Sequence, residues 1–343
     1  MGSVSRPAIG SGSRAAWGLE QPRLGLALGG AHDEGDLALQ RQWALRAEEL
    51  GLHSVWLPEM HFAPGVCPAP LVELASLASR TTRIRLGTTS LLLPLHSPQA
   101  LAGQIAALDR ISRGRALIGL GRGFQRRMLE AFGVDPASKR GRFDESLDRM
   151  LALWADANAR GGALATHQRP HPPLAVAAFG PKGLAQAARR GLPYLASPVE
   201  TLDQIEENQA RHRSLSNGSE TASLSIVMRT VFVSEDPHLL EQARAALRAE
   251  GQRGRARMPL AVRRAIEAPL EQRAIVGHRE QVSEALQREC SRLDIDLLIV
   301  RPRIARLDPA PLERSLEILA GEIWPDLRDA RIADGSASSR PAP

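Results

Sequence analysis

The feature that most constrains this chain is a repeated alternation of short apolar runs with amphipathic stretches of helical period. The runs at 24–28, 54–59, 83–93, 116–121, 173–179, 193–197, 223–234 and 296–302 read as strands. Between and after them, 37–51, 69–80, 97–112, 142–154, 182–191, 201–215, 237–251, 277–290 and 310–327 place apolar residues at helical spacing. Ser97 followed by Pro98 is a helix start, with a capping hydroxyl and a residue that needs no N–H partner. A βα repeat of this kind predicts an α/β protein with a parallel sheet covered by helices. Eight such units in one uninterrupted chain favour a closed TIM-type (β/α) eight-stranded barrel over an open sheet.

Composition narrows the function. The ends, 1–20 and 331–343, are rich in Gly, Ser and Arg and read as a flexible arm and tail around a single domain, 21–330. No apolar run reaches the length of a membrane span, and the first residues lack the apolar core of a signal peptide. Two cysteines, Cys67 and Cys290, are too few for a disulfide framework, so a reduced, cytoplasmic protein is expected. The net charge of +6 invites a nucleic-acid reading. Against it, the cations are Arg scattered among Asp and Glu, with Lys only at 139 and 182. One Tyr in the whole chain gives bases nothing to stack on.

A barrel carries its chemistry at the C-terminal ends of its strands. At the second strand end stands Glu59-Met60-His61-Phe62, where Glu59 and His61 share a face and suit proton handling. Two such groups with no third ligand nearby, and no H-E-x-x-H, do not make a metal site. At the fourth, Gly119-Leu120-Gly121-Arg122-Gly123 lacks the third glycine of a dinucleotide fingerprint. It is either a tight turn with a solvent-facing Arg, or a turn that lets backbone approach a cofactor while Arg122 pairs with its phosphate. At the fifth, Phe179-Gly180-Pro181-Lys182-Gly183 joins strand to helix; a helix start is an anion site, and also an ordinary βα turn.

Four segments together, VWLPEMHF (55–62), RIRLGTTSLLLPLHSP (83–98), LDRISRGRALIGLGRGFQRRMLEAFGVD (108–135) and PLAVAAFGPKGLAQAARRGLP (173–193), resemble the bacterial luciferase-like, flavin-dependent monooxygenases. The stretch 276–300 is also similar to that family's last barrel unit. The resemblance covers roughly 23–327 and implies FMN, supplied reduced by a separate and transient flavin reductase. It implies dioxygen as co-substrate and oxygenation of a small organic substrate through a flavin hydroperoxide. It implies cofactor contacts from Arg122, Gly123 and Phe124 and from Phe179, Gly180, Lys182 and Gly183, with Arg122 on the phosphate and the 179–183 turn adding mainly backbone N–H groups. It also implies a flavin ring against Thr89 and Ser90, with a cis peptide at Thr89–Ser90. Glu59 and His61 become the acid–base candidates. The family's Glu-His-His-Phe has Met at position 60 here, and its reactive cysteine is Gly121. The resemblance further implies a homodimer through helices 69–80 and 97–112, and a mobile lid at 251–276. Trp56, Phe62 and Phe124 would shape an apolar pocket. Two other activities stay open: a deazaflavin-dependent hydride-transfer oxidoreductase on the same barrel, and a non-catalytic flavin-binding partner subunit, motivated by Met60.

Overall fold

Nine parallel strands build the sheet of the computed structural model, which describes residues 13–31, 33–62, 66–216, 223–252 and 260–333. They are β1 (Arg23–Ala27), β2 (Ser54–Leu57), β3 (Arg85–Leu92), β4 (Ala116–Gly121), β5 (Leu174–Ala177), β6 (Tyr194–Ala196), β7 (Ile226–Val233), β8 (Ala274–Gly277) and β9 (Leu297–Arg301). Neighbours pair in chain order from β1 to β7. β9 then joins β7 to β1, with Leu297 opposite both Ile226 and Arg23. Eight strands therefore close on themselves, as the alternation predicts.

Side chains divide the strands by face. Ala27, Trp56, Leu117, Ala175, Leu195, Ile226, Met228, Leu297 and Ile299 form one buried cluster inside the barrel. Their neighbours, including Leu26, Val55, Leu57, Ile118, Val176 and Leu298, pack outward under the helices in a second cluster. Trp56 is wholly buried in the interior cluster, so it fills the barrel rather than shaping a pocket at its mouth. Gly87 exists to admit it: a Cβ there would meet the Trp56 ring at 2.2 Å.

Three further departures from the sequence reading bear on the barrel and its ends. Part of the presumed arm, Arg14–Trp17, is a helical turn capped by Ser13. Trp17 and Leu19 are completely buried and close the N-terminal end of the barrel. His53 Nε2 lies 2.9 Å from the Trp17 carbonyl, and burial beside Arg85 pushes that imidazole down to about 3. It is neutral and donates to the carbonyl. Second, the presumed lid contains a helix (Leu260–Glu267) and most of β8, a strand beyond the eight read from the sequence. β8 adds to β7 beyond its contact with β9, Thr230 opposite Ala274, a short strand that four residues of weak alternation do not announce. Residues 253–259 of that segment lie outside the described residues. Third, the last helix is not continuous: a π-helical turn, Leu319–Ile323, separates Pro309–Ile318 from Trp324–Ala333. Pro325 has no N–H for Gly321 and its ring crowds that carbonyl, which accounts for the break.

Candidate active site

The mouth at the C-terminal ends of β2 to β5 gathers nearly every residue singled out above. β2 ends at Leu57 and the chain turns inward, placing the Glu59 side chain in a fully buried position. His61 Nε2 approaches Glu59 Oε1 at 2.8 Å. A second imidazole does the same: His96 Nε2 lies 2.9 Å from Oε1 and 3.0 Å from Oε2. The Leu92 N–H donates to Oε2 at 2.7 Å. Burial alone raises the Glu59 carboxyl; the donors from His96, Leu92 and His61 outweigh it, so the group stays below its ordinary range and is ionised.

β3 supplies the floor of this cluster. The Thr89–Ser90 peptide is cis, and the register against β4 shifts between Thr88 and Leu91. The Ser90 carbonyl accepts from the Glu59 N–H at 3.4 Å. Gly121 faces the same spot. A Cβ there would come within 2.1 Å of Ser90 Oγ, so in this rotamer the Ser90 hydroxyl occupies the space a side chain at 121 would need. No thiol substitutes from elsewhere: Cys67 is buried, donates its S–H to Glu73 Oε1 at 3.0 Å and is pushed upward by burial and by Glu73.

A second cluster sits one strand further on. Arg122 leaves the end of β4 and crosses to β5, where Nη2 donates to the Ala177 carbonyl at 3.0 Å and Nη1 to Gln186 Oε1 at 2.9 Å. It lies against the start of the helix Pro181–Ala188: a Cβ on Gly183 would meet Nη2 at 2.5 Å, so only glycine permits the approach. Gly180, at φ +78°, turns the chain from β5 into that helix with open space around it. Lys182 is exposed at its first turn and Phe179 is half-buried before it. Gly123, at φ +69°, offers its carbonyl to Lys139 Nζ at 3.0 Å. Burial, with Arg140 adding repulsion and Asp144 opposing it, pulls the Arg122 guanidinium down to about 10. Burial and the neighbouring Arg122 and Arg140 likewise lower Lys139. Cations that depress one another beside a helix start form a donor set suited to a phosphate dianion.

Aromatic rings border the mouth. Phe62, at φ +60°, is 65% exposed, Phe124 46% and Phe132 38%. The His61 ring lies tilted 4.8 Å from Phe132, and Phe62 is 6.0 Å from Phe132. The mouth is open. A groove of about 500 Å³ lies elsewhere, on the outer wall along β8 and the helix Arg279–Leu293, and shares no residue with these clusters. Among the described residues no group of His, Cys, Asp and Glu has metal-binding geometry.

Four participants escaped the sequence reading: His96, Lys139, Gln186 and Phe132. Lys139 carried a signal, as one of two lysines in the chain. His96 stood beside the recognised Ser97 cap, but only the fold brings it to a carboxylate 37 positions away.

The sequence model of the family described as luciferase-like monooxygenase matches residues 23–293. The oxygenase component of the flavin-dependent trigonelline monooxygenase of Acinetobacter baylyi is 31% identical over 179 residues, 48% of this chain and 50% of that one. The F420-dependent glucose-6-phosphate dehydrogenase of Kineococcus radiotolerans is 31% identical over 183 residues, 48% of this chain and 54% of that one. The alignments span about half the length of these curated relatives. Among solved structures, the oxygenating constituent of 3,6-diketocamphane monooxygenase from Pseudomonas putida, in complex with FMN, superposes with a TM-score of 0.72. That match has 19% identity and covers 89% of this chain and 98% of that one. Among the described residues no helix is long and apolar enough to cross a membrane. The chain belongs to the luciferase-like monooxygenase family.

Proposed function

We propose that this protein is the oxygenase of a two-component system, using FMN reduced elsewhere and dioxygen to oxygenate a small, largely apolar organic molecule. The observation that carries the reading is the placement, at the same end of the barrel, of an under-compensated cation cluster at Arg122 after β4 and of an ionised Glu59 holding His61 after β2, with β3 between them. Arg122, Lys139, Lys182 and the helix start at Pro181 would hold the FMN phosphate, with Gly180 and Gly183 giving backbone access. Thr89 and Ser90 would lie against the ring. Gly123, Phe124 and Phe179 would flank the cofactor. Reduced FMN supplies the activation of dioxygen. The protein's part is to orient that cofactor, to exclude water with Phe62, Phe124 and Phe132, and to hold a proton at an imidazole. Glu59 fixes His61 with Nε2–H toward the carboxylate, which leaves Nδ1 as the basic atom.

The reductase partner is supported by the trigonelline relative being named an oxygenase component. A homodimer through the helices Pro70–Ala78 and Pro98–Ile111 is supported by Val72 and Ile111, which leave these helices 70% and 53% exposed. Light scattering showing only a single-chain mass would reject it. The F420-dependent relative favours a second reading, hydride transfer to or from a deazaflavin. One experiment separates them: oxygen uptake with chemically reduced FMN and a panel of terpenes and N-heterocycles, beside F420 reduction under argon. Substrate-dependent oxygen uptake supports the oxygenase. F420 reduction without oxygen uptake supports the hydride reading, and inactivity in both supports a non-catalytic flavin-binding subunit.

A further inference from the structure

We propose that His96 is a positioning residue for His61, the two imidazoles and the Glu59 carboxylate forming one unit that takes up a single proton before a second is strongly disfavoured. The inference rests on the oxygenase reading of this mouth for its purpose, but its geometry is independent of it.

Both rings reach the same oxygen, His61 Nε2 at 2.8 Å and His96 Nε2 at 2.9 Å from Oε1. The two nitrogens are therefore no farther apart than the sum of those distances. An ionised carboxylate only accepts, so each Nε2 carries hydrogen, and each neutral ring presents a bare Nδ1. Neither Nδ1 makes a hydrogen bond among the described residues. The first proton to arrive, on either Nδ1, creates an imidazolium paired with Glu59. The second would place two imidazolium rings on one carboxylate, and such interacting sites titrate as a pair.

Among the described residues, no carboxylate other than Glu59 bonds to either ring. The His61 ring packs on Phe132 at 4.8 Å and faces Phe62 at 6.0 Å, both uncharged. Glu59 Oε2 is taken by the Leu92 N–H. Cys67, on the segment that accepts from the Met60 N–H, is a protonated thiol directed at Glu73, so that acid is turned toward the sulfur. Met60, 40% exposed between Glu59 and His61, cannot take up a proton. His61 is the less accessible ring, with 12% of its side chain exposed against 28% for His96. The rings arrive from different strands, His61 after β2 and His96 after the turn Leu93–Leu95 that follows β3. His96 thus sets the protonation of His61 through a shared acceptor.

The test is a proton NMR titration of the histidine Cε1–H resonances in the full chain without added flavin, for the parent, His96→Gln, His61→Gln and Glu59→Gln. Gln at 96 retains an N–H donor for Glu59 but cannot titrate. In the parent, His61 and His96 should each show two inflections at common midpoints. In His96→Gln, the His61 curve should collapse to a single step that no longer superimposes on the parent's. Single-step curves for both rings in the parent overturn the proposal, as do superimposable His61 curves in the parent and His96→Gln. The parent alone decides if a variant fails to fold. Oxygen uptake is measured separately. Coupled titrations in a protein that consumes no oxygen would leave the proposal standing and remove the oxygenase reading, whereas oxygen uptake with uncoupled rings would do the reverse.

Discussion

Replacing Arg122 by Ala tests the phosphate assignment most directly. The side chain is half-buried, donates from Nη1 and Nη2 to Gln186 and Ala177, and lies against Gly183 at the start of the helix Pro181–Ala188. Its charge is depressed by burial and by Arg140, with Asp144 in partial compensation. An incoming phosphate would relieve that repulsion and add charge-assisted hydrogen bonds, each worth roughly 1.5–3 kcal/mol. Arg122→Ala should therefore weaken FMN binding about 10- to 150-fold. Riboflavin, which lacks the phosphate, is the internal control and should lose little. Arg122→Lys keeps charge but not the planar fork and should fall between. The assay is isothermal titration of FMN and riboflavin into each protein, with thermal unfolding to check the fold. Unchanged FMN binding, or an equal loss with riboflavin, would show that Arg122 staples β4 to β5 and does not read a phosphate.

Three further outcomes are expected. His61→Ala should lower single-turnover oxygenation about 100-fold, the usual size of acid–base assistance, while FMN binding holds; parent-like turnover makes His61 structural. Glu48 accepts from the N–H groups of Thr82, Arg83 and Ile84 between the helix Glu34–Glu49 and β3, and although burial opposes it these bonds bring its carboxyl down to about 2. Because the folded value lies below the unfolded one, its stabilisation is present above about pH 4.5 and lost as pH falls toward 2. Screening limits it to roughly 1 kcal/mol, and Glu48→Gln should flatten that acid limb in urea melts. Glu200 behaves oppositely: burial pushes it up to about 7 despite donors from Tyr194, Ser197 and Asn208. The folded state then binds the proton more tightly, so stability should decline between about pH 4.5 and 7. Glu200→Gln should remove that decline; a parent curve flat over this window contradicts the assignment.

Sequence periodicity was enough to determine the barrel, because burial on two faces of a parallel strand and one face of a covering helix leaves a repeating apolar pattern that no local alternative satisfies. The same logic located the strand ends, and with them Glu59, His61, Ser90, Arg122 and Gly180. β8 was hidden because its pairing partner, not its own alternation, holds it in the sheet. Trp17 read as part of a polar arm, since its burial depends on the open end of a barrel that closes only in three dimensions. His96 and Lys139 were invisible for the same reason. A buried carboxylate and a glycine carbonyl are attractive to an imidazole and an ammonium only at hydrogen-bond distance, and the chain brings them there from 37 and 16 positions away. Sequence spacing measures contact along one element; whether two elements place their ends over one another is decided by strand order and register, and these belong to the folded molecule alone.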